Sequence, residues 1–141
     1  MDMEMWGGGD VGIKEKNPSS PKPRITHVKE LIVFKRAYAF SLELHKASLA
    51  FPKIEQFALA DQLRRCSKSV CANLKEGFAK QSQSKAEFKR FITIAIGSAN
   101  EVELWMTYAL DLGYIDKVTF LHWLKENDAV IGMLVNLRNK V

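Results

Sequence analysis

The chain is poor in the residues that small proteins use for covalent or metal chemistry. Its 141 residues include two cysteines and three histidines. No run approaches the roughly 18–20 consecutive apolar residues of a membrane span. The N-terminal stretch MDMEMWGGGDVG has neither the basic nor the apolar region of a secretory leader. A soluble cytoplasmic protein with no membrane partner is the expectation. Cys66 and Cys71 are five residues apart in a helical stretch, where their side chains diverge, so two buried thiols are expected rather than a disulfide. Proline is scarce beyond the beginning: Pro18, Pro21 and Pro23 precede residue 28, and only Pro52 follows. No convincing alternation of polar and apolar residues is present, so no strand is needed.

What remains is one domain and a tail. Residues 1–27 combine Gly7-Gly8-Gly9, the three prolines and almost no periodic apolar residues. Such a stretch cannot offset the entropy cost of ordering, so a disordered tail is expected, followed by a folded unit over 28–141. The unit reads as four helices. The first is predicted over about 27–50, with Leu31, Phe34, Tyr38, Leu42, His45 and Leu49 as its inner face and a stop at Phe51-Pro52. The second is predicted over about 55–78. Its Leu59, Leu63, Cys66, Val70 and Leu74 form a single core stripe, with Gly77 near the exit. Ser84 and Glu87 are spaced as a capping box that opens a third helix, which runs to about Leu112 before Gly113 as a left-handed cap. Asp116 can cap a fourth, predicted over about 117–139, with Phe120, Leu124, Ile131 and Leu134 inward. Long helices and short connections imply an all-α, antiparallel up-down-up-down four-helix bundle.

Two of these helices carry more apolar surface than such a bundle needs. On the third, Phe88, Phe91, Ala95, Ser98, Val102, Met106 and Ala109 share one face, while Ile94, Leu104, Tyr108 and Leu112 lie well off it. On the first, Val33, Phe40 and Leu44 widen the apolar arc to about 200°, beyond the stripe of about 100–140° that a surface helix needs. A helix that is apolar on two sides is covered on two sides, so a homo-oligomer is expected, with Val33, Phe40, Leu44, Ile94, Leu104, Tyr108 and Leu112 at the subunit interface.

Catalysis has no support in the sequence. No Glu-x-x-His pair is present for a dimetal site, and the cysteines have no partners at zinc spacing. The glycine run has no strand before it, and no nucleophile motif joins the serines to a histidine and an acid. Neither a metal nor a cofactor is expected, and the chain is read as a non-enzyme. His45, on the apolar face of the first helix, reads as a core or interface histidine.

Charge is the strongest remaining signal. The net charge is +5, and residues 1–27 balance four cations against four anions. Between residues 64 and 90 stand Arg64, Arg65, Lys68, Lys75, Lys80, Lys85, Lys89 and Arg90 against only Glu76 and Glu87. Arg64, Lys68 and Lys75 fall within about 40° of one another, away from the core stripe, and form an outward row able to follow phosphates. These eight residues are the candidate nucleic-acid contacts, for RNA or DNA. No aromatic residue interleaves with them as a stacking platform, so base-specific readout is not expected from this patch. The competing reading is a protein–protein scaffold whose basic faces dock an acidic partner. A turn near residues 80–81 would place Arg64 and Arg65 opposite Ser98 and Glu101, giving an Arg65–Glu101 pair that fixes helix register.

The run F-x-L-A-D-Q-L-R-R-C-S-K-S-V-C-A-N-L-K-E-G-F (57–78), followed by S-x-x-E-F-x-R-F-x-x-I-A-x-G-S-x-x-E-V-E (84–103) and D-L-G-Y-I (111–115), resembles a family of small four-helix bundles. The family was first named for proteins encoded in intervening sequences of bacterial 23S ribosomal RNA genes. The chain is also similar to the accessory variability proteins of diversity-generating retroelements. The motif positions are Arg64, Arg65, Ser69, Asn73, Glu76, Gly77, Phe88, Phe91, Gly97, Ser98, Glu101 and Glu103. The resemblance implies a homopentameric barrel with a basic surface, nucleic-acid binding and no enzymatic activity. In the retroelement members it implies partnership with a reverse transcriptase. Lys75 departs from the small residue more usual at its position, and the tail has no counterpart in the motif.

Overall fold

The computed structural model describes residues 25–141. The expected disordered tail, residues 1–27, lies outside the described residues except for Ile25, Thr26 and His27, of which Ile25 packs against the core. A 3₁₀ turn at Val28–Glu30 leads into α1 (Ile32–Ser48), α2 (Leu59–Lys80), α3 (Lys85–Asp111) and α4 (Lys117–Lys140). The described residues contain no strand. Neighbours in sequence pack together and α1 closes against α4, while the backbones of α1 and α3 stay apart and share only the core between them, an arrangement consistent with an up-down-up-down bundle.

Local chemistry sets the ends. Leu31 is extended, so α1 begins only at Ile32, later than its periodicity suggested. Ala58, at φ −126° and ψ −105°, separates a 3₁₀ turn at Lys53–Glu55 from α2 and delays that helix too. The Ser84 hydroxyl accepts the Glu87 backbone N–H at 3.1 Å and caps α3, and the Asp116 carboxylate accepts that of Thr119 at 2.8 Å and caps α4. Gly113 ends α3 at φ +82°, a conformation that side chains disfavour.

The core has two layers. One, at the end where α2 hands over to α3, gathers Val28, Leu31, Val33, Leu74, Phe88, Ile92 and Leu137. The other, at the end that holds the 49–58 connection, gathers Phe40, Leu44, Leu63, Met106 and Trp123. These are called the hairpin end and the loop end below. All five predicted α2 core residues are buried. The fourth helix turns slightly from its expected face, burying Trp123, Asn127, Val130, Leu134 and Leu137 while Phe120, Leu124 and Ile131 are half-buried.

The first helix is the principal correction. Val33, Phe40 and Leu44, expected at a subunit interface, are 4%, 5% and 0% exposed and belong to the chain's own core. Tyr38, Leu42 and Leu49, expected to face inward, are 51%, 41% and 60% exposed. The inward face also holds Ser41 and Ser48, which read as polar in sequence. Each satisfies its hydroxyl on a carbonyl one turn back, Ser41 on Tyr38 at 2.7 Å and Ser48 on His45 at 2.8 Å, and so can be buried without an orphaned group. On α3, Ile94, Leu104, Tyr108 and Leu112 are exposed, as an interface would require.

The α2–α3 seam is the tightest. Gly77 is buried inside α2 rather than at its exit, because the helix continues to Lys80. A Cβ at Gly77 would stand 2.7 Å from the Cβ of Phe91, so the absence of a side chain lets the two backbones approach. The looser α1–α4 seam is fastened by polar contacts. Arg36 donates to both Glu126 oxygens at 2.9 and 3.1 Å, Trp123 Nε1 donates to Glu43 Oε2 at 3.2 Å, and His122 Nε2 lies 3.0 Å from the same oxygen. The hydrogen-bonded Arg36 guanidinium holds the Glu126 carboxyl below its ordinary range.

Candidate nucleic-acid interface

The eight cations do not form one surface. Arg64, placed in the outward row by its spacing, bends onto the 49–58 connection instead. Its Nη1 donates to Ser48 Oγ at 2.8 Å and Gln56 Oε1 at 3.2 Å, and its Nη2 donates to the Gln56 carbonyl at 2.7 Å. The Gln56 amide in turn donates to the Ser48 and Phe51 carbonyls at 3.0 and 2.9 Å. Arg64 thus ties the 49–58 connection to α2. Arg64→Ala is expected to cost about 1–3 kcal/mol in denaturant unfolding. The salt slope of RNA binding should stay unchanged, whereas loss of a phosphate contact would reduce it by about 1.

Arg65 pairs with Asp61 at 3.0 Å, one turn away, and not with Glu101. The α2–α3 register explains the difference. The turn occupies residues 81–84, later than expected, so Ser69 Oγ, not Arg65, meets Ser98 Oγ, at 2.9 Å. Asn73 Nδ2 joins them, donating to the Ser69 carbonyl at 2.8 Å and its hydroxyl at 3.0 Å. The motif residues Ser69, Asn73, Gly77, Phe88, Phe91 and Ser98 therefore line one helix seam. Lys68 Nζ donates to His45 Nδ1 at 2.9 Å, and partial burial followed by the Lys68 and Arg64 charges pushes the imidazole pKa down, which favours the neutral acceptor.

The remaining five cations gather at the hairpin end. Lys75 and Lys80 lie on the last two turns of α2, and Lys85, Lys89 and Arg90 on the first two of α3. Lys80 is 3.6 Å from Glu76, and Arg90 donates to both Glu87 oxygens at 3.2 and 3.1 Å. That guanidinium holds the Glu87 carboxyl below its ordinary range and also lies 4.6 Å from the Phe91 ring centre. Lys75, Lys85 and Lys89 are exposed and have no ion-pair partner among the described residues. Sequence reasoning missed Arg138. Its Nη1 donates to Thr93 Oγ1 at 3.2 Å, and Thr93 in turn donates to the Lys89 carbonyl at 3.0 Å, so α4 brings a further cation beside α3. The signal was topological: in an up-down bundle the fourth helix ends where the third begins.

Burial pushes the Cys66 thiol up to about 12 and the Cys71 thiol up to about 11, so both stay protonated and inert. Both are free and buried, as expected. No group of three or more His, Cys, Asp or Glu side chains comes together among the described residues. An open groove at the loop end is lined by Glu55, Leu59, Gln62, Trp105, Tyr108 and Leu112. Its one carboxylate is occupied, because Tyr114 donates to Glu55 Oε2 at 2.8 Å and the Leu59 N–H to Oε1 at 3.3 Å. No helix among the described residues is long and apolar enough to cross a membrane.

The backbone has a structural relative. A crystal structure from Bacteroides thetaiotaomicron, described as a protein of unknown function from the S23 ribosomal protein family, superposes with a TM-score of 0.69 at 22% identity, covering 77% of this chain and 96% of that one. At that identity the likeness speaks to the fold. Comparison with curated proteins finds none that matches. The model of the 23S rRNA-intervening sequence protein family matches residues 29–136, which takes in the α2–α3 seam, the cation-rich hairpin and most of α4, and the chain belongs to that family.

Proposed function

We propose that this chain is a non-enzymatic, homo-oligomeric accessory protein that binds the phosphate backbone of RNA or DNA through the hairpin end of its bundle. The observation that carries the reading is the gathering of Lys75, Lys80, Lys85, Lys89 and Arg90 with Arg138 from α4, opposed by two glutamates that occupy only Lys80 and Arg90. Lysines held on rigid helices and left without protein partners release condensed counterions when they meet phosphates, and the affinity gained does not depend on base sequence. The Arg90–Phe91 stack covers an aromatic face that could otherwise receive a base, which again favours backbone recognition.

Assembly belongs to the same reading. The exposed apolar stripes on α1 and α3 are different surfaces, on helices whose backbones do not approach one another, which favours head-to-tail contact and a closed ring over a two-fold dimer. A ring of five, as the family resemblance suggests, would present five basic ends to one polyanion and convert a weak local contact into avidity. Partnership with a reverse transcriptase is the specific context we propose, and it rests on the resemblance to the accessory proteins of diversity-generating retroelements.

The test is fluorescence anisotropy with a labelled structured RNA between 50 and 300 mM salt, with an acidic polypeptide as competitor, beside recovery of partners with and without nuclease. About five phosphate contacts predict a log–log salt slope of about −4 to −5. A flat slope overturns nucleic-acid binding, and partners retained after nuclease, with the polypeptide competing as well as RNA, would establish the acidic-protein scaffold instead.

A further inference from the structure

We infer that the exposed face of α1 in one copy of the chain covers the exposed face of α3 in the next, seating Leu42 over Gly97 and pairing Lys46 with Glu101. The inference rests on the oligomer reading above and assigns the surfaces that meet. The α1 face presents Tyr38, Leu42 and Leu49, and the α3 face presents Ile94, Leu104, Tyr108 and Leu112. Their charges are opposite. Lys35 and Lys46 are exposed beside the α1 stripe, Glu101 and Asp111 beside the α3 stripe, and none of the four has an ion-pair partner among the described residues. A second copy of the same chain supplies both the apolar cover and the counter-charge for each face.

The register comes from contacts inside one protomer. Lys68 reaches His45, and its neighbour Ser69 meets Ser98, so the His45 turn of α1 stands level with the Ser98 turn of α3. In an up-down bundle those two helices run in the same direction. Rotation about an axis parallel to the bundle therefore sets Leu42 and Lys46 of one copy beside Gly97 and Glu101 of the next, with the same four-residue spacing on each side.

Gly97 is the independent sign of a close neighbour. It lies in the interior of α3, where glycine is a poor helix former, and a Cβ there would meet nothing within 4 Å. The chain's own packing gives no reason to omit a side chain, and a knob entering from outside does. Gly132 of α4 is equally open, but Asp128 and Asn136 flank it one turn away on either side and no apolar stripe runs through it.

The experiment is sedimentation of the full chain over a concentration series, with Lys46→Glu, Glu101→Lys, their combination, and Gly97→Leu. Each single charge reversal is expected to weaken association about tenfold or more, and the combination to restore it. Gly97→Leu should weaken association with helical content unchanged by circular dichroism. A native protein that stays monomeric at every concentration overturns the oligomer reading and this contact together. A native oligomer that the single reversals leave unaffected, or that the combination fails to restore, overturns this contact alone.

Discussion

Replacing Lys75, Lys80, Lys85, Lys89 and Arg90 together by glutamine is expected to lower affinity for a structured RNA by about three orders of magnitude near physiological salt, and to flatten the log–log salt slope by about four to five. The substitutions take the net charge from +5 to zero. They should leave the fold intact, because all five side chains project from the last turns of α2 and the first turns of α3, outside both core layers. The two ion pairs removed, Lys80–Glu76 and Arg90–Glu87, are exposed and local, so their loss is expected to be nearly neutral for stability. Glutamine at Arg64, Arg65 and Lys68 gives the matched control, since these cations already serve Gln56, Asp61 and His45. If that trio lowers affinity as much as the hairpin quintet, the site lies along the length of α2 and the assignment to the hairpin end fails. Anisotropy titrations of both variants at three salt concentrations separate the outcomes.

The split between trio and quintet marks where the sequence could be read and where it could not. Charge density from residue 64 to 90 is a property of composition and survives any rotation of the helices. Which cations are free depends on partners far away in sequence. Arg64 is taken by Ser48 and Gln56, sixteen and eight residues earlier, and nothing in the spacing of Arg64, Lys68 and Lys75 signals that loss. Features that live within one turn were legible for the same reason. The Ser84 and Asp116 caps and the positive φ at Gly113 are settled by residues within four positions of each other.

The inner face of α1 was not legible, and the cause is specific. Its apolar residues cover so wide an arc that periodicity alone offers two faces of similar quality. The choice between them falls to Ser41 and Ser48, whose hydroxyls turn back onto their own helix and so enter the core without an unsatisfied group. A hydropathy pattern counts those serines as outward. The misplacement of Val33, Phe40 and Leu44 follows directly, as does the α1 surface of Tyr38, Leu42 and Leu49 that the structure leaves uncovered. Similarly, Gly77 reads in sequence as a residue near the exit of α2, whereas the helix runs on to Lys80 and the missing side chain instead admits Phe91.

Trp123→Ala is expected to cost about 3–5 kcal/mol, the largest loss of stability from a single substitution here. Trp123 is among the largest fully buried side chains, at 1% exposure, in the loop-end core with Phe40, Leu44 and Met106. It also carries one of the few polar fastenings of the α1–α4 seam, through Nε1 and Glu43 Oε2 at 3.2 Å. Alanine removes both the packing and the bond, and neighbours held by two other helices cannot collapse fully into the space. Trp123→Phe separates the contributions: it keeps most of the ring and loses the hydrogen bond, whose net worth is about 1 kcal/mol. Because Glu43 remains solvent-accessible, with His122 still 3.0 Å away, the orphaned carboxylate adds little. Urea unfolding followed by circular dichroism checks the pair, and a Trp123→Ala loss below about 1 kcal/mol would mean that this layer does not hold the bundle together. The hairpin cations sit at the opposite end, fixed by Gly77, Phe88 and Phe91, so the folded fraction of either variant should bind RNA with native affinity and salt slope. On the proposed reading the Trp123 layer and the phosphate contacts lie at different ends of the same four helices, so each is expected to change without the other.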